Sequence, residues 1–139
     1  MLGPRAAGEW SAQDRIQLGV LLRTSFGAVL WSIAPLVLSS AGLGEAAVWA
    51  LSSGGYLAFI FVVLSTVTAL FRQGPAASGT SRAVWIYARI SVALQVMLLL
   101  ANLVALRTAW PHLVAILLSL ATSAFAFVRL LVGTRNSSP

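Results

Sequence analysis

SRAVWIYARISVALQVMLLLANLVAL, residues 81–106, decides the fold. Beyond Arg89 the stretch holds no charge, and its strongly polar groups are Gln95 and Asn102. Crossing about 30 Å of hydrocarbon as a helix takes roughly 20 apolar residues, and this run supplies them. It is continuous rather than alternating, which argues against membrane β-strands with their alternation over about ten residues. Three more runs of the same kind cover residues 12–40, 45–71 and 111–132. The expected architecture is an all-α membrane protein of four transmembrane helices in an up-down-up-down bundle, between a cytoplasmic segment 1–11 and a disordered tail 134–139.

Composition agrees. Of 139 residues, 59% are hydrophobic and 9% charged, against about 25% charged in soluble domains. That leaves too little polar surface for a water-exposed globule. The formal charge of +6 comes entirely from Arg, placed at the ends of apolar stretches and never in a run. Nucleic acid is therefore not an expected partner. The absence of Cys excludes disulfides, thiol chemistry and Cys-ligated metals. The first apolar run is longer than the core of a signal peptide and has no small-residue cleavage site close behind it, so it is expected to be retained.

Local signals mark the breaks. Ser11, with Asp14 three residues on, reads as an N-cap. Pro35 frees the carbonyl of Trp31 and should kink helix 1. Residues 41–45, AGLGE, read as a tight turn. Ser52-Ser53-Gly54-Gly55 reads as a weak spot where helix 2 could break, leaving residues 56–71 to span. Residues 72–82 form the longest loop. Pro111 suits the first turn of helix 4, and Gly133 suits its end.

Arginine sets the expected orientation. Arg5, Arg15, Arg23, Arg72, Arg82, Arg89, Arg129 and Arg135 share one side of a four-span protein, and Arg107 alone takes the other. Basic residues concentrate on the cytoplasmic side, so the arrangement is N-in/C-in. Trp10 and Trp85 then fall at the inner boundary and Trp49 and Trp110 at the outer, as an aromatic belt requires, with Trp31 as the exception. Arg23, Arg89 and Arg129 lie a turn or two inside the apolar runs. They are expected to snorkel to the inner headgroups, where they are candidates for holding lipid phosphate.

Chemistry-bearing motifs are sparse. The acids are Glu9, Asp14 and Glu45, none at mid-membrane, whereas small multidrug transporters of this size depend on an embedded Glu. His112, the single His, is expected at the outer surface in the first turn of helix 4. No nucleotide, metal or cofactor motif is present, so no cofactor and no enzymatic activity are expected. In layout alone, with four helices, small size and a basic middle loop, the chain resembles the ATP synthase assembly protein I family.

What remains is helix packing. Ser91, Gln95 and Asn102, spaced by four and seven, share one face of helix 3. Unpaired, the two amides would cost several kcal/mol each in hydrocarbon, so that face should meet the bundle or a partner. Ala115, Ser119, Ser123 and Ala126 form a small-residue stripe on helix 4 that permits close approach. Aligning Arg23 with Arg89 pairs Phe59, Phe61 and Val62 with Phe125, Phe127 and Val128, as two related hairpins would. The expected role is a non-enzymatic accessory, scaffold or assembly subunit. Alternatives are a component of an oligomeric channel or transporter, or an anionic-lipid-binding protein. The expected partner is the bilayer, with another membrane protein or a second copy as the candidate protein partner. Arg-only basicity and Ala, Leu and Val richness suggest a bacterial inner membrane.

Overall fold

The computed structural model describes the backbone of residues 12–73 and 82–135, with the side chains of 18–66, 68 and 86–128. The proposed N-cap at Ser11, the end residues 1–10 and 136–139, and most of the middle loop lie outside the described residues. Helix α1 runs Ala12–Ser40, α2 Glu45–Gln73, α3 Arg82–Ala101 and α4 Ala109–Arg135, with a π-helical turn Asn102–Leu106 closing α3. Within them, Leu18–Ser40, Glu45–Thr66, Ile86–Leu106 and Ala109–Val128 are long and apolar enough to cross a membrane, at mean hydropathies of 1.6 to 1.9.

Short links make sequential neighbours antiparallel. Between α1 and α2 the chain turns at Gly42, whose φ of +78° is a left-handed conformation that suits a residue without Cβ. Packing closes a ring in which α1 meets α2 and α4, and α3 meets α4 and α2. This is a four-helix bundle.

Burial is inverted relative to a protein in water. Phe26, Leu36 and Val104 are each 72% exposed, while Ser52, Ser53, Asn102 and His112 are fully buried. Lipid solvates apolar side chains and cannot satisfy polar ones, so polar groups go inside. The apolar part of the core is Ala28, Tyr56, Leu57, Ile60, Leu99, Ala115 and Ile116, with Trp31 and Phe59 packed against it.

The helices depart from the expected bounds at several points. α2 runs without a break through Ser52–Gly55. A Cβ on Gly55 would overlap the Trp31 ring, so this glycine serves close packing. That contact also accounts for Trp31, the tryptophan that fitted neither belt. α4 passes through Gly133 and takes in Thr134 and Arg135, where an end and a disordered tail were expected. α3 loosens into π geometry one turn before its expected end. There the N–H of Arg107 donates to the carbonyl of Asn102, 3.1 Å away, and Arg107 itself is left-handed at φ 49°. Of the aligned hairpin residues, Phe61 and Val62 are exposed as Phe127 and Val128 are, whereas Phe59 packs on the core and Phe125 is half exposed.

Candidate functional site

Three hydrogen-bonded groups run down the middle of the bundle. The one nearest the α1–α2 turn joins all four helices. The side-chain amide of Asn102 on α3 donates from Nδ2 to Ser53 Oγ on α2, at 2.8 Å. Ser53 in turn donates to His112 Nδ1 on α4, at 3.3 Å. Nε2 of His112 donates to the backbone carbonyl of Trp31 on α1, at 3.1 Å. A carbonyl can only accept, so Nε2 carries a proton, and in the neutral ring Nδ1 is then the acceptor for Ser53. The carbonyl it reaches is the one Pro35 sets free, because proline has no N–H for the acceptor four residues back. Asn102 Oδ1 also accepts the N–H of Thr108 at 2.9 Å. Its main-chain and side-chain oxygens thus take two consecutive N–H groups and hold the α3–α4 link.

This corrects the expectation for His112. It is not a peripheral residue of a first turn but a fully buried one. Trp49 covers it with ring centroids 6.0 Å apart, and Tyr56 meets it edge-on at 5.9 Å. Its first-turn position, after Pro111, is as expected; its direction is not. The interior is correspondingly richer in polar chemistry than the absence of buried acids suggested.

A second group lies nearer the middle. Tyr56 bonds Ser119, which donates to Gln95 Oε1 at 2.7 Å. Gln95 Nε2 donates to Ser91 Oγ at 3.1 Å, Ser91 bonds Thr122 at 2.8 Å, and Thr122 donates to the carbonyl of Leu118. The third group ties α1 to α4. Thr24 gives its proton to the carbonyls of Val20 and Leu21, so Ser123 is the donor to Thr24 Oγ1 at 3.0 Å.

The structure therefore brings Ser91, Gln95, Asn102, Ser119 and Ser123 together inside the bundle, with Ala115 fully buried among them and Ala126 half-buried. From His112 to Ser123 the column covers about 16 Å of α4 at about 1.5 Å per residue. It comes apart into closed units, and each of the three chains of linked side chains ends on a backbone carbonyl. Arg23 and Arg89 lie on the exposed outside, and the side chain of Arg129 lies outside the described residues. Ser53 and Tyr56 were missed from sequence. A usable signal existed: read backwards from Ser123, α4 carries Ser119 and His112 at offsets of four and seven. That is the spacing of Ser91, Gln95 and Asn102, as antiparallel neighbours need.

Set against known proteins, the chain matches no family model, no curated protein and no solved structure.

Proposed function

We propose that this chain is a non-enzymatic accessory, scaffold or assembly subunit of a membrane, acting through the outer surfaces of a locked bundle. The observation that carries the reading is the node of Asn102, Ser53, His112 and the Trp31 carbonyl, which ties one group from each helix into a single closed set of bonds. An interior whose polar side chains, Ser52 apart, are engaged with one another or with backbone carbonyls holds shape. A substrate or ion path needs such groups turned toward a cavity. Ser53 and His112 have the chemical identities of a nucleophile and its base, but both are fully buried, which keeps a substrate from them.

The N-in/C-in arrangement and residence in a bacterial inner membrane belong to the same proposal, supported by the arginine distribution. Purified in mild detergent, the chain should carry a second membrane protein in fixed ratio, and deleting its gene should leave that protein unassembled. A chain that elutes alone or only with its own copies, and whose loss leaves membrane complexes intact, sinks the reading.

A further inference from the structure

A cleft of about 480 Å³ opens on the lipid-facing side between α1 and α2. Ligand pockets fall in the range of about 300–1,000 Å³. Its walls are Val20, Phe26 and Leu30 from α1 and Phe59 and Val63 from α2, and among the described residues Arg23 is the one charged residue lining it. Gly27 shapes the wall. A Cβ there would overlap the Phe59 ring, so the ring can lie against α1 only because the position is glycine. From Val20 to Leu30 the α1 wall is about 15 Å long at about 1.5 Å per residue, which is half of a hydrocarbon core of about 30 Å. The cleft therefore spans one leaflet, the one at the N-terminal end of α1. Arg23 lies about 7.5 Å inside the start of that span at the same rise, within reach of the headgroups for a snorkelling side chain. Glu45, the acid with a described side chain, is at the opposite end of the helices.

We propose that this cleft is a binding site for an anionic phospholipid. One acyl chain lies against Phe26, Leu30 and Phe59, and the phosphate sits on the Arg23 guanidinium. The occupant follows from complementarity at both ends: a leaflet-length apolar slot takes an acyl chain, and the Arg23 cation at its headgroup end selects negative charge. The site does not depend on the accessory role and would stand if that role failed.

The test is native mass spectrometry of the delipidated full chain in detergent, with phosphatidylglycerol or phosphatidylcholine of identical acyl chains added. Phosphatidylglycerol should be retained about fivefold better, the ratio expected of one Arg at an anionic surface. Arg23→Gln should bring the two lipids to parity, and Arg107→Gln, at the other end of the bundle, should leave the preference intact. Gly27→Leu should reduce retention of both lipids. Because that variant could disturb the helix pair, Val63→Trp fills the cleft from the α2 wall and should do the same, with helicity checked by circular dichroism. Equal retention of both lipids by the native chain, a preference that survives Arg23→Gln, or displacement of the lipid by inorganic phosphate alone would each overturn the proposal.

Discussion

His112 joins residues far apart in the chain: its two ring nitrogens reach Ser53 on α2 and the Trp31 carbonyl on α1. Replacing it with Ala removes both bonds at once. Hydrogen bonds between membrane helices average about 0.6 kcal/mol with a maximum near 1.7, so His112→Ala should destabilise the bundle by about 1–2 kcal/mol in a detergent unfolding titration. An unchanged midpoint would show that the node does not hold the helices. Gly55 makes the opposite kind of test. Gly55→Val drives a side chain into the Trp31 ring, and overpacking of this sort costs about 1–3 kcal/mol. Adding Trp31→Leu should recover part of that loss, and a double variant no better than Gly55→Val would refute the contact. One buried side-chain oxygen, Ser52 Oγ, has no hydrogen-bond partner, and the structure offers no physical reason for it.

At the scale of helices, α1 and α4 are coupled through a proline. Pro35→Ala supplies an N–H that can close the helical bond to Trp31, giving that carbonyl a second donor besides His112. The effects of Pro35→Ala and His112→Ala should therefore fail to add. A double-mutant cycle on unfolding free energies should give at least about 0.5 kcal/mol of coupling, where independent sites add within roughly 0.3–0.5. α3 carries its own test. Gln95→Leu with Asn102→Leu removes four side-chain bonds, including the one that holds the Thr108 N–H. At the average value for membrane helices that is about 2 kcal/mol. The double variant should unfold at correspondingly lower denaturant, and an unchanged curve would make this face irrelevant to the fold. The helix bounds were mostly legible because Pro, Gly and charge mark interruptions in a hydrophobic run. The π turn after Ala101 was not, because it depends on where the oxygens of Asn102 find the next N–H groups.

For the whole molecule, the lack of cysteine makes orientation directly measurable. In the N-in/C-in arrangement, Leu43→Cys in the exposed α1–α2 turn should react with an impermeant maleimide on intact cells. Ser78→Cys in the middle loop should react only after permeabilisation. The reverse pattern would overturn the orientation drawn from arginine.

What the sequence determined by itself is the number of helices, their limits to within a turn or two, and which face of α3 must be covered. Those follow from transfer free energies between water and hydrocarbon, which act residue by residue and leave their mark in local composition. What only the tertiary structure decided is who meets whom. The freed carbonyl of Trp31 was legible from Pro35, but its donor lies 81 positions away, and no local rule links them. Likewise Gly27 and Gly55 read as unremarkable glycines until Phe59 and Trp31 are seen against them. The bilayer dictates that polar groups turn inward. Which of them then bond to each other depends on how four helices rotate and settle against one another, and the chain order does not contain that.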